Sequence, residues 1–286
     1  MNSAAAPHDH LDARQFTLAV RRLADDLSYG SDRSPFLGAG IEYVQSRAYQ
    51  PGDAVKSMDW RLTARTGRYH VKEYEAPKRL PVYLLVDTSA SMAVSSQHVS
   101  KYAWAVQLAS GLALAALYRV SPVGVLGCGG RALDVRPSLS RTQVFQWLHG
   151  LRHAAFDEPT ALARRLRQLA AVLENRALLI VLSDLHDPDA LAALKPLGQA
   201  HDCLVLELRD PAEQGRLGGG FLRAAEAETG EAFTARGGTG WLDLHAHAPA
   251  LRRGGIDHLL LRTEEPFVAR LRLHLRRRDF LGKGTR

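Results

Sequence analysis

Asp87-Thr88-Ser89-Ala90-Ser91 follows directly on the apolar run Val82–Val86. An acid and two hydroxyls, spaced two apart, leave the end of a strand-length run together, so one loop can turn three hard oxygen donors toward one small cation. Mg²⁺ and Mn²⁺ suit oxygen ligands, and Mg²⁺ keeps waters and takes few protein carboxylates. A second apolar run, Leu178–Leu182, ends on Ser183-Asp184. Thr160 lies between the two in sequence, where a loop meets a helical pattern; its hydroxyl either caps that helix or ligates a metal. The pattern fits a site in which an acidic group of a partner completes the metal's shell, which is binding and not catalysis. An Asp followed by Ser at a strand end is also a common helix cap. Asp187 and Asp189 read as loop or cap residues, either of which can stand in for Asp184.

Other chemistries find less support. Ser89 or Ser91 with His98 or His186 as base lacks the Gly-x-Ser-x-Gly elbow of a hydrolase. Gly127-Cys128-Gly129-Gly130 lacks the Lys-Ser/Thr of a phosphate loop. His245 and His247 share a strand face but have no third ligand nearby. The expectation is a protein that is not an enzyme.

The elements that must position these residues follow from periodicity. Asp12 caps a helix running to about Leu27, with Phe16, Val20, Leu23 and Leu27 as its buried stripe. A Gly/Ser/Pro-rich loop spans 28–40. Residues 41–80 mix polar and apolar residues around turn signals at Pro51-Gly52-Asp53 and Thr66-Gly67, so short strands and turns packed on the main domain are expected. From Leu80 onward strands alternate with helices. Strands are expected at 82–86, 122–126, 132–135, 178–182 and 203–208, and weaker ones near 232–234 and 241–244. Helices are expected at 100–119, 142–151, 160–174, 190–200 and about 265–278. That alternation implies an α/β fold, a doubly wound, mostly parallel sheet flanked by helices. Its ligand crevice lies beyond the carboxyl ends of the strands, where Asp87 and Asp184 arrive together if their strands are parallel.

Composition is that of an ordinary globular protein, 46% hydrophobic and 23% charged over 286 residues. Cys128 and Cys203 are too few for a disulfide framework and fall in apolar surroundings, as buried free thiols do. The first twelve residues lack the pattern of a signal peptide, and the longest uncharged helical stretch, 102–118, is shorter than the roughly 20 residues of a bilayer span. A cytoplasmic protein is expected. The net charge of +7 is uneven: residues 262–286 carry eight Lys/Arg against three Asp/Glu. Arg270, Arg272, Arg276, Arg277 and Arg278 therefore offer a rival reading, a binder of nucleic acid or an anionic surface.

Asp87, Ser89, Ser91, Thr160 and Asp184 resemble, in order and context, the metal-ion-dependent adhesion site of von Willebrand factor A domains. The resemblance implies that the serines and the threonine ligate Mg²⁺ directly or through water. It implies that the aspartates bind it or hold its waters, and that a partner's acidic side chain takes a further position. The usual Gly before the threonine is Pro159 here, and Ala161 follows it.

A denser resemblance lies upstream. Tyr49-Gln50-Pro51-Gly52-Asp53, Asp59-Trp60-Arg61, Thr63-Ala64-Arg65-Thr66-Gly67 and Val71-Lys72-Glu73-Tyr74-Glu75 resemble the hallmark of the bacterial domain of unknown function 58 family. There this block precedes a von Willebrand A-like domain. The block mixes acids with Arg47, Arg61, Arg65, Arg68 and Lys72, and the planar guanidinium fits carboxylates bidentately. Either a polar network clips the segment to the main domain, or Arg61, Arg65, Arg68 and Lys72 form a docking face for an acidic or phosphate-bearing partner. The organisation expected is a disordered tail (1–11), a helix plus β-rich segment (12–80) and a von Willebrand A-like domain with a basic C-terminal helix (81–286). The family resemblance further implies a partner, a MoxR-type AAA+ ATPase, with this chain as adaptor in protein assembly or maturation.

Overall fold

The computed structural model describes residues 13–28, 42–75, 80–130, 133–152, 159–214, 221–225, 232–236 and 247–280. The tail 1–11, the loop residues 29–40 and the strand expected at 241–244 lie outside them. Helix α1 (Ala13–Ser28) comes first, then β1 (Glu42–Ala48), α2 (Trp60–Thr66) and β2 (His70–Glu75). Strand β1 pairs antiparallel with β2. Where strands and turns alone were expected, α2 is a true helix. Asp59 accepts the Leu62 N–H at its start, and Gly67 ends it at φ 68°.

The main body runs β3 (Val82–Val86), α3 (Lys101–Tyr118), β4 (Val123–Gly127), β5 (Leu133–Ser138), α4 (Arg141–Leu151), α5 (Leu162–Val172), β6 (Leu178–Ser183), α6 (Ala190–Ala200) and β7 (Asp202–Arg209). A hairpin of β8 (Phe221–Ala225) and β9 (Ala232–Arg236) follows, then α7 (Ala248–Arg253), β10 (Asp257–Arg262) and α8 (Val268–Phe280). Six strands form one sheet in the order β10-β7-β6-β3-β4-β5. All neighbours are parallel except the edge strand β5, which runs against β4. The expected α/β class and mostly parallel sheet are therefore present. Strands β8 and β10 and helix α7 were not anticipated.

Alternate strand residues feed two cores. Val82, Leu84, Val86, Ile180 and Leu206 face α1, α3, α4 and α8. Leu85, Leu179, Val181 and Val205 face α5, α6 and α7. Helix α3 is apolar nearly all round, so the sheet alone cannot cover it. The stripe of Phe16, Val20, Leu23 and Leu27 on α1 covers its outer side, and Leu23 lies over Gly111. Both cysteines are buried and neither is in a disulfide. Among the described residues no helix is long and apolar enough to cross a membrane.

Candidate cation site at the sheet rim

Three backbone bonds bring the predicted loops to one rim. Asp87 N–H donates to Leu182 O at 2.9 Å, Cys128 N–H to Val86 O at 2.8 Å, and Ala161 N–H to Cys128 O at 3.0 Å. The loops after β3, β4 and β6 and the turn before α5 therefore meet at the carboxyl ends of adjacent parallel strands. Helix α5 begins at Leu162 and not at Thr160. Asp187 Oδ2, rather than Thr160, accepts from the helix's first turn, at Ala163 N–H, 2.8 Å. Asp187 is thus a cap, and Thr160 stands before the helix with its hydroxyl oxygen buried.

Within the first loop, Asp87, Ser89 and Ser91 are all buried. Asp87 Oδ1 accepts the Ser89 N–H at 3.1 Å, and Oδ2 accepts the Ser183 hydroxyl at 2.6 Å. The Ser89 and Ser91 hydroxyl oxygens lie 3.0 Å apart. Burial, and then the neighbouring Asp184 charge, push the Asp87 carboxyl up to about 6.

Asp184, fully buried, carries a partner that its motif did not announce. Lys101 Nζ donates to Asp184 Oδ2 at 2.7 Å and also binds Glu213 Oε1. Leu185 takes a left-handed φ of 56°, a costly conformation for a branched side chain. The turn folds His186 back, so that its Nδ1 lies 3.0 Å from Asp184 Oδ2. Burial raises the Asp184 carboxyl, but the Lys101 ammonium and the His186 contact outweigh it and hold the group well below the usual carboxylate range. Arg209 Nη1 lies 3.0 Å from His186 Nε2. Arginine only donates, so Nε2 accepts and the proton sits on Nδ1, toward Asp184. Neither His186 nor the discounted His98 faces a serine as a base among the bonds described.

The network continues along β7. Arg209 holds Glu207 through Nη2 at 2.8 Å and Nε at 2.9 Å. His247 Nδ1 and His258 Nε2 reach the same carboxylate at 3.1 and 2.7 Å. Burial opposes the Glu207 charge, yet the histidine hydrogen bonds and the Arg209 charge lower its carboxyl to about 2. Asp210 accepts from Ser95 Oγ (3.1 Å), Ser96 N–H (3.0 Å), Ser96 Oγ (2.5 Å) and Thr263 Oγ1 (3.3 Å), fastening the chain after the first loop to β7 and β10. Asp87, Asp184, Glu207, Asp210 and Glu213 thus gather here, with Lys101 and Arg209 as cations bonded to them among the described residues. Asp184, His186 and Glu213 offer ligand atoms within 4.8 Å of one another, a group that can hold a metal ion.

Sequence reading missed Lys101, Glu207, Arg209, Asp210 and Glu213. A signal existed for three of them: Glu207, Arg209 and Asp210 close the otherwise apolar run of β7, where charge survives only if paired.

The signature segment carries side-chain bonds of its own. Arg47 grips Asp53 with two bonds of 2.8 Å, and Ser46 Oγ donates to Asp59 at 2.7 Å. These bonds run within residues 42–75. Lys72 is half-buried and its charge acts on Asp59. Arg61, Arg65 and Arg68 are exposed beside exposed Trp60 and Tyr69. In the basic helix α8, Leu271 and Leu275 enter the core and Arg270 pairs with Glu265 at 3.1 Å. The side chains of Arg276, Arg277 and Arg278 lie outside the described residues.

Comparison with known proteins places this geometry in a family. The chain is 28% identical over 225 residues to the uncharacterized proteins Rv1480 of Mycobacterium tuberculosis and Mb1516 of Mycobacterium bovis, covering 76% of this chain and 70% of each relative. A solved uncharacterized membrane spanning protein from Vibrio fischeri aligns at 14% identity over 66% of this chain and 95% of its own, with a TM-score of 0.22, too low to bear on fold or function. The family model described as protein of unknown function DUF58 matches residues 45–238, more than half of the sequence, and the chain belongs to that family.

Proposed function

We propose that this chain is a non-enzymatic protein-interaction module that presents one Mg²⁺ or Mn²⁺ at its sheet rim to an acidic side chain of a partner. Asp87, Ser89, Ser91, Thr160 and Asp184 hold the ion directly or through its waters, in the manner of a von Willebrand A-like adhesion site. The observation that carries this reading is the 3.0 Å separation of the Ser89 and Ser91 hydroxyl oxygens beside the Asp87 carboxylate. The edge of an octahedron of Mg²⁺–oxygen bonds is about 2.9 Å. Burial and the neighbouring Asp184 charge, which together raise Asp87, add to it, since a divalent ion offsets both. The serine and threonine hydroxyls are neutral ligands, and a coordination position left to water is open to a carboxylate from outside. Lys101 limits how far Asp184 can take part, because one of its oxygens is already bonded.

Family resemblance supports a MoxR-type AAA+ ATPase as partner, with this chain as the adaptor for a client protein. The exposed Arg61, Arg65 and Arg68 beside Trp60 and Tyr69 suit a second contact with acidic surface. The rival reading, nucleic acid on α8, is weakened by the helix's buried apolar face and by the pairing of Arg270.

The test is thermal unfolding with Mg²⁺, with Mn²⁺ and with EDTA, for the native chain and Asp87→Ala. An ion bound only to the folded state raises the midpoint. Binding to a MoxR-type ATPase should then disappear with EDTA and survive moderate salt. A midpoint indifferent to both ions in the native chain refutes the proposal.

A further inference from the structure

We propose that Lys101 is a resident cation that closes the Asp184–His186–Glu213 cluster to metal ions. The cluster has the donor set of a transition-metal site, two carboxylates and an imidazole. Yet the Lys101 ammonium sits on Asp184 Oδ2 at 2.7 Å and on Glu213 Oε1, two of the three ligand groups. The third is also committed: His186 uses Nδ1 on Asp184 and Nε2 on Arg209. A metal bound there would have to share oxygens with an ammonium group and repel it at contact distance.

The location of Lys101 makes its retention costly. It is the first residue of α3, behind the Ser100 cap, where unpaired N–H groups already make the helix end positive. It is also fully buried, which lysine tolerates only when paired. Two unfavourable terms act on one side chain, and the Asp184 and Glu213 carboxylates offset both.

Two consequences follow. The loop bearing Glu213 (Pro211–Gln214) is anchored to the rim without a metal. The imidazole that would recruit zinc-like ions is barred from doing so, and hydroxyl and carboxylate oxygens suited to hard ions remain at the Asp87 loop. The inference stands whether or not Mg²⁺ binds that loop.

The experiment is a Co²⁺ titration of the native chain and of Lys101→Met, followed by visible d–d absorption, with Zn²⁺ competition. The native chain is expected to show no histidine-ligated Co²⁺ band at this cluster. Lys101→Met is expected to gain one, to bind Co²⁺ at least 10-fold more tightly, and to lose the gain when His186→Ala is added. Adding Asp87→Ala instead leaves the new band intact while removing Mg²⁺ stabilisation from the native background, which separates this inference from the adhesion reading. If Lys101→Met folds poorly, far-ultraviolet circular dichroism with Zn²⁺ decides: recovered structure supports a metal taking the ammonium's place, and no recovery overturns it. A well-folded Lys101→Met that binds Co²⁺ no better than the native chain also overturns it, as does a native chain that already binds through His186.

Discussion

Ser183 donates its hydroxyl proton to Asp87 across the seam between β3 and β6, at 2.6 Å, while its oxygen accepts the Leu185 N–H at 2.9 Å. One serine therefore fixes the carboxylate of the first loop and the strained turn of the second. Ser183→Ala should free both. Asp87 then loses a bond that favours its charged form, so Mg²⁺ affinity at pH 7 should fall about 10-fold in calorimetry, with stability reduced by about 1–2 kcal/mol.

The Asp87 carboxyl, pushed up to about 6 from 3.8, sets a trade between stability and binding. An acid with a raised folded value binds its proton more tightly in the folded state. Its ionisation therefore opposes folding above pH 6, and the penalty fades as pH falls from 6 toward 4. Asp87→Asn without metal should be about 1–3 kcal/mol more stable at pH 7.5 in urea denaturation, with the gain gone near pH 4. The same variant should lose its Mg²⁺ response. A less stable variant at pH 7.5 counts against this.

Glu207 behaves oppositely. Its carboxyl is lowered to about 2 from 4.5 by bonds from His247 and His258 and by Arg209, against the effect of burial. A lowered acid stabilises the fold above its unfolded value and loses that contribution as pH drops from about 4.5 toward 2. Glu207→Gln should cost about 3 kcal/mol at pH 7, because buried Arg209 loses its 2.8 Å carboxylate partner and keeps the longer 3.7 Å contact with Glu213. The deficit should shrink as pH falls below 4.5. A constant deficit across that range would assign the loss to packing.

Asp187 and Asp184 separate a cap from a cation ligand. Asp187→Ala removes the acceptor for Ala163 N–H and should cost about 1 kcal/mol while leaving the Mg²⁺ response unchanged. Asp184→Ala should abolish that response and leave Lys101 with Glu213 as its carboxylate partner. Loss of Mg²⁺ binding in Asp187→Ala would make Asp187 the true ligand.

Two glycines differ in what they face. A Cβ on Gly198 would lie 2.7 Å from the Gly254 carbonyl oxygen and 2.4 Å from Ile256 Cγ1, where α6 meets the turn from α7 into β10. A Cβ on Gly111 would meet the Leu23 side chain and no backbone within that range, at 2.5 Å from Cδ2 and 2.7 Å from Cγ. Gly198→Ala should cost about 2–3 kcal/mol and Gly111→Ala about 1 kcal/mol, measured by thermal unfolding. Equal costs would mean that the Gly254 backbone yields as readily as a side chain.

The sheet was legible where its strands are continuous apolar runs. Leu178–Leu182 sits between two neighbouring strands and is apolar on both faces, as a central parallel strand must be. Strand β10 was missed because it pairs only with β7 and begins Asp257-His258, polar positions that blur its alternation. Helix α2 is seven residues long, too short for a period to register, and only Asp59 and Gly67 marked its ends. The Asp-x-Ser-x-Ser loop was legible because its geometry is local. Lys101 was not, because it lies 83 residues from Asp184 and 112 from Glu213, and only the folded sheet closes those distances.

Asp210 joins parts of the chain that share no strand pairing. It grips Ser95 and Ser96, just past the hydroxyl loop, and Thr263, on the turn that leads into α8. Any outward swing of that loop must therefore break these bonds or tug on the entrance to the last helix. A single carboxylate gears the two ends of the α/β body to one another, and a pull at the rim is felt at the foot of α8.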